Sequence, residues 1–189
     1  IGELKKYVEQ FGLRAWCFVD AQGNYHGTSQ KEMVQYCKTA DVLLGIWTVT
    51  WLPEFAECRR RIFIDTDPGF TQFRMSPDER SSLAYASPLD FHEHYSCGTR
   101  IGKPDCPIPT HGLDWKPMRV PVALDLLPFQ YTPEAKCFTT VMAWSPRKPV
   151  VYNGVEYGLK DVEFWRIADL PSRVPDCLEI ALGGRPPTE

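Results

Sequence analysis

The run Asp65-Thr66-Asp67-Pro68-Gly69-Phe70-Thr71-Gln72 places two carboxylates around a hydroxyl directly after the apolar stretch Ile62-Phe63-Ile64. Open α/β sheets bind ligands outside the carboxyl ends of their strands, so chemistry is expected here first. Two carboxylates at this spacing can hold a divalent cation, a sugar hydroxyl or a proton. The same residues also spell a polar turn, in which Asp side chains satisfy nearby backbone N–H groups. Spacing alone leaves both readings open.

His92 and His94 straddle Glu93, which on a strand turns both rings to one side. They are candidates for metal ligands or a general base. No third ligand sits at a fixed offset, so polar or core histidines are the plainer reading and no metal is assigned. His26 and His111 fall in loops. Trp115 stands beside Lys116 and Pro117, and Trp144 ends a strand-like run; aromatics of this kind stack on sugar rings or fill cores. The seven cysteines (17, 37, 58, 97, 106, 137, 177) are odd in number, irregularly spaced and without a Cys-x-x-Cys pair. That pattern disfavours zinc ribbons and thioredoxin-like motifs, and reduced thiols in a cytoplasmic protein are expected.

The elements that must position these residues follow from periodicity and punctuation. Leu4, Tyr7, Val8 and Phe11 have helical spacing, stopped by Gly12. Arg14 to Val19 reads as a strand with a turn at Gln22-Gly23-Asn24. Ser29 and Glu32 form a capping box opening a helix whose Met33, Val34, Cys37 and Ala40 share a face. Val42 to Trp47 is continuously apolar, the signature of a strand buried on both faces. Arg61 to Asp65 is a second such strand, Ser76 and Glu79 form another capping box, and His92 to Cys97 is a third strand.

Five of the seventeen prolines lie between Pro104 and Pro121, which predicts an extended crossing and then a linker to about residue 134. Fresh strand patterning starts at Phe138 and runs to Trp144. Asn153-Gly154 marks a hairpin, Asp161 to Ala168 a helix and Cys177 to Leu182 a strand. The alternation predicts an α/β fold: a Rossmann-like, three-layer first domain with a largely parallel sheet over residues 1–134, open to lacking its first strand. Residues 135–189 then hold the first elements of a second, incomplete Rossmann-like domain.

At 189 residues, 43% apolar and 24% charged, the chain has room for one generous domain or one and a part. A net charge of −3 gives no footprint for nucleic acid. The longest apolar run falls well short of the roughly 20 residues of a membrane span. A first residue other than Met and an end just past a strand-like run suggest a piece of a longer protein.

Short spellings do not by themselves assign a family. Asp-Thr-Asp-Pro-Gly resembles the calcium-binding opening of nucleoside hydrolases, but Thr71 and Gln72 stand where further aspartates would complete that ion site. Gly69 breaks the haloacid-dehalogenase phosphatase pattern. A bare Asp-x-Asp is similar to that of metal-dependent single-domain glycosyltransferases, whose strand–helix order fits less well.

An ordered set of motifs is more specific. Ala40-Asp41-Val42-Leu43-Leu44, Ile64 to Gln72, Ile101-Gly102-Lys103-Pro104, Trp115 to Arg119, Pro121-Val122 and Tyr157-Gly158-Leu159-Lys160 occur in sequence. Together, from about residue 13 onward, they resemble a little-characterised group of bacterial glycosyltransferases with two Rossmann-like domains (GT-B architecture). The pattern departs from that group at Gly98-Thr99-Arg100-Ile101-Gly102 and at Val120.

The resemblance implies an acceptor-side domain followed by the start of a donor-binding domain. It implies a nucleotide-sugar co-substrate, a small-molecule or glycan acceptor, and no cofactor or obligatory metal. Asp67 and His94 become candidates for the catalytic base, with Asp65 orienting its partner. Gly69, Thr71, Gln72, Gly98 and Trp115 become acceptor-binding candidates. On this view the chain alone is an inactive fragment of the transferase. The alternatives are a metal-dependent hydrolase centred on Asp65, Asp67 and His94, and a non-catalytic carbohydrate-binding module of the same fold.

Overall fold

Four short strands pair in parallel, and helical segments lie between them in the chain. The computed structural model describes residues 2–47, 51–75, 86–144, 148–158, 160–174 and 177–183. The expected capping box at Ser76 lies outside the described residues, as does Leu159 of the Tyr157–Lys160 motif. The chain divides into two units, Ile1–Val120 and Pro121–Glu189.

The first unit opens with helix α1 (Gly2–Gln10), which buries none of its residues and ends near Gly12, whose φ of 59° suits glycine. Strands β1 (Cys17–Val19) and β2 (Tyr25–Gly27) form an antiparallel hairpin around the expected turn. Helix α2 (Gln30–Thr39) begins at the predicted capping box. The Ser29 backbone N–H donates to Glu32 Oε2 at 2.9 Å and the Glu32 N–H to Ser29 Oγ at 3.4 Å. Its predicted inner face is Met33, Val34, Cys37 and Ala40, with Cys37 buried.

After strand β3 (Leu43–Ile46) come a 3₁₀ turn, Pro53–Glu57, and then β4 (Arg61–Asp65). Helix α3 (Phe70–Arg74) follows, and then β5 (Glu93–Ser96) and β6 (Trp115–Pro117). The sheet order is β3-β4-β5-β6, all parallel. This gives a mixed α/β unit with a four-stranded parallel sheet.

One expectation is corrected here and another made more specific. Val42 to Trp47 is not buried on both faces: β3 is an edge strand whose Gly45 is buried, while Leu44 and Ile46 are more than half exposed. The proline-rich crossing also contains a strand. Proline cannot donate to a ladder, but Pro117 closes a three-residue edge strand, where that loss is tolerated.

The core lies on one face of this sheet. Phe63, Ala86, Phe91, Ile101 and Trp115 are buried together, with Leu43, Trp51, Ile108 and Leu113 packed against them. Phe63 meets Phe91 and Trp115 edge-on, with ring centroids 5.2 and 6.2 Å apart, an arrangement aromatic quadrupoles favour.

In the second unit, β7 (Cys137–Ala143) and β10 (Cys177–Gly183) pair in parallel along seven residues each. Between them lie the hairpin β8 (Val150–Tyr152) and β9 (Val155–Tyr157), then α4 (Lys160–Phe164) and α5 (Leu170–Arg173). Asn153 and Gly154 both have positive φ, 50° and 75°, as the tight hairpin requires. Trp144 is buried against Phe164 and Trp165, so it belongs to a local core. Cys137 and Cys177 are register partners joined by a disulfide, which corrects the expectation of reduced thiols for this pair. Their separation of 40 residues hides a proximity that strand pairing creates.

Candidate functional site

Asp65 and Ser96 are the last residues of adjacent strands β4 and β5 and face each other in register. Both side chains are almost fully buried. Asp65 Oδ2 accepts from Ser96 Oγ at 2.7 Å and from Gln72 Nε2 at 2.9 Å. Asp65 Oδ1 accepts from Thr71 Oγ1 at 2.7 Å and from the Asp67 backbone N–H at 3.0 Å. Burying a carboxylate costs several kcal/mol, and four donors aimed at both oxygens offset that cost. The last of these bonds is the i→i+2 contact of an Asx turn. Asp65 therefore acts as the keystone of the loop that presents Asp67.

Gln72 is held equally firmly. Its Oε1 accepts from the Gly69 N–H at 2.7 Å while its amide donates to Asp65, so neither end faces a cleft. Gly69 has φ 89°, a conformation an L side chain resists, and this lets the chain turn sharply into α3. The Thr71 backbone N–H bonds the Asp67 carbonyl at 3.1 Å, starting the helix. Asp67 itself is half-buried and Thr66 exposed, while the Asp65 carboxylate is withdrawn from solvent.

His94 lies two residues before Ser96 on the same face of β5, buried against the Trp115 ring. Its Nε2 donates to the Pro88 carbonyl at 2.7 Å, which fixes the tautomer. Burial pushes its pKa below the usual imidazole value, with the Pro88 bond acting the other way. His92 falls just before β5. Its Nδ1 accepts from the Arg61 N–H at 3.0 Å, and burial and the Arg61 charge lower its pKa. The two histidines thus take different partners. Among the described residues, Asp65, Asp67 and His94 do not bring three ligand atoms within 4.8 Å of one another.

The remaining candidates occupy packed positions. A Cβ on Gly98 would stand 2.6 Å from Pro68 Cβ and 2.8 Å from Ile101 Cδ1, so the missing side chain is used by packing within the chain. The Gly98 N–H also bonds Ser96 Oγ at 3.0 Å, tying the next loop to the same keystone. Trp115 is 6% exposed, its ring taken up by Phe63 and His94 and its N–H by the Thr110 carbonyl at 3.1 Å.

A cleft of about 450 Å³ opens where the loop after Gly98 meets β6. Thr99, Lys103, Thr110 and Asp114 line it together with Ile101 and Trp115. Lys116 also borders it, while its ammonium pairs with Glu93 at 2.9 Å. Bonds from Lys116 and Arg60 push the Glu93 carboxyl down to about 2.

Three residues went unweighted or undervalued in the sequence. Ser96 carries no motif of its own, and only strand register reveals its bond to Asp65. His111, with φ 52°, bonds the Gln72 carbonyl at 2.8 Å and ties the 110–112 turn to α3. Trp47 follows β3 with φ 58°, half-exposed at the same carboxyl edge. An aromatic directly after a strand-like run was the available signal.

No protein-family model, curated protein or solved structure matches the chain. Among the described residues no helix is long and apolar enough to cross a membrane.

Proposed function

We propose that the chain is the acceptor-side part of a glycosyltransferase with two Rossmann-like domains, joined to the first elements of its donor-binding domain. In this reading the first unit is the three-layer acceptor domain, and β7 with β10 begins the second. A sugar passes from a nucleotide-sugar to a hydroxyl of a small-molecule or glycan acceptor, with no cofactor. The disulfide between Cys137 and Cys177 is the feature that weighs against a reducing compartment.

One observation carries the reading: a turn at the carboxyl end of a parallel sheet carries Asp67, and a fully buried, four-bonded Asp65 holds its backbone N–H. Through Pro68 and Gly98 the turn packs on the loop that walls a polar cleft, whose hydroxyls and charges suit a polyhydroxyl acceptor. Asp67 is then the base that takes the acceptor proton. Asp65 is its positioning residue, through the backbone N–H. His94, neutral and bonded to a carbonyl, supports the sheet rather than the proton transfer.

The test is Asp67→Asn in the longer parent enzyme. Turnover, followed as nucleoside-diphosphate release, should fall about 100-fold or more while donor affinity changes little. The present chain alone should give no release, because diphosphate binding needs helix N-termini of a complete donor domain. Full activity in the variant would end the catalytic assignment.

A second reading, a carbohydrate-binding module without catalysis, is favoured by the same bonds, since Asp65, Gln72 and His94 all have structural partners. It predicts glycan binding that Asp67→Asn weakens and no nucleotide release from any length of chain.

A further inference from the structure

Cys137 and Cys177 open the parallel ladder of β7 and β10 as direct register partners, and Glu179 lies two residues along on the same face. Their sulfur and carboxylate atoms all lie within 4.8 Å of one another, and Cys177 and Glu179 are exposed to solvent. We propose that this corner is a redox-gated site for a soft divalent cation such as zinc, closed by the disulfide and opened by its reduction.

The chemistry follows from the ligand set. Two thiolates and a carboxylate are three of the four ligands of a tetrahedral zinc, and exposure leaves the fourth position to water. Thiolates select zinc over calcium or magnesium, which prefer all-oxygen shells. In a tetrahedral site two sulfurs 2.3 Å from the metal stand roughly 3.8 Å apart. Side-chain rotation on neighbouring strands supplies that separation without moving the backbone ladder. The strands also fix the spacing before the metal arrives, which lowers the ordering cost that a loop site would carry.

The states balance as follows. A dithiol reductant gives two electrons and two protons to the Cys137–Cys177 bond and leaves as its own disulfide. Zinc then displaces both thiol protons to solvent and joins the Glu179 carboxylate. Reoxidation by a small-molecule disulfide, which takes two electrons from the thiolates and two protons from solvent and leaves as two thiols, re-forms the Cys137–Cys177 bond and expels the metal as the divalent ion.

Cobalt(II) reports such a site through thiolate-to-metal charge-transfer absorption. The reduced 189-residue chain, titrated with cobalt(II) under argon, should develop that band at one equivalent and lose it to added zinc. The disulfide form should bind about 10-fold less or worse, as should Cys137→Ser with Cys177→Ser. Glu179→Gln should weaken binding about 10-fold with the thiolate band retained. The other cysteines are common to all variants, so the difference between chains reads this corner alone. Equal cobalt binding in the double serine variant, or no thiolate band in the reduced chain, would overturn the proposal. Far-ultraviolet circular dichroism of each variant separates lost binding from lost folding.

Discussion

Ser96 donates to Asp65 across two neighbouring parallel strands at 2.7 Å, and both groups are shut away from solvent. This bond joins β4, β5, the Asp67 turn and the Gly98 loop into one piece, because Ser96 Oγ also accepts from the Gly98 N–H. The backbone of Asp67, the proposed base, is thus held by a residue that is itself fully buried.

Asp65→Ala should therefore behave as a stability mutation first. It leaves four donors facing an empty space, and a loss of about 3 kcal/mol or more is expected. Asp65→Asn keeps the shape but turns an amide toward two donors, and should fall between wild type and alanine. Urea unfolding of the three chains gives the order. A loss below about 1 kcal/mol for alanine would show that the turn is held by other contacts.

Gly98→Ala tests the link between the turn and the cleft wall. Its new methyl would meet the rigid Pro68 ring at 2.6 Å, so the loop must shift rather than a flexible side chain. Overpacking of this kind costs about 1–3 kcal/mol. The denaturation midpoint should drop, and backbone NMR shifts should concentrate at residues 65–69 and 98–102. Shifts confined to the 98–102 loop would break the link.

His94 sets a pH dependence. Its folded pKa is lowered by burial, so below about 6.5 the unfolded chain binds the proton more readily. The stability tied to the neutral ring is complete above about pH 6.5 and declines as the pH drops toward the folded value. Ring NMR should show the Nε2-protonated neutral tautomer at pH 6.5. A ring more than half cationic there would contradict the buried, carbonyl-bonded arrangement.

The disulfide closes a loop with its ends 40 residues apart, and loop-closure entropy puts its contribution at about 4 kcal/mol. Mild reduction, or Cys137→Ser, should lower the unfolding transition of the second unit and leave that of the first unchanged. Tryptophan fluorescence from Trp144 and Trp165, isolated by replacing the others with Phe, follows the second unit. An unchanged transition would mean that the strand ladder holds without the bond.

What the sequence determined was local. The capping box at Ser29 and Glu32, the αL pair at Asn153-Gly154 and the apolar runs of β4 and β7 rest on neighbours a few residues away. Such contacts form whatever the rest of the chain does. The turn at Asp65-Thr66-Asp67 was legible for the same reason, since strand, turn and helix follow one another there directly. Tertiary structure decided the rest. Whether an apolar run such as Val42–Trp47 is covered depends on its place at the sheet's edge, and whether Trp115 meets ligand or core depends on Phe63 and His94. The burial of Asp65 against Ser96, and the meeting of Cys137 with Cys177, depend on strand register. Register is set by the packing of whole faces against one another, and no window of sequence contains it.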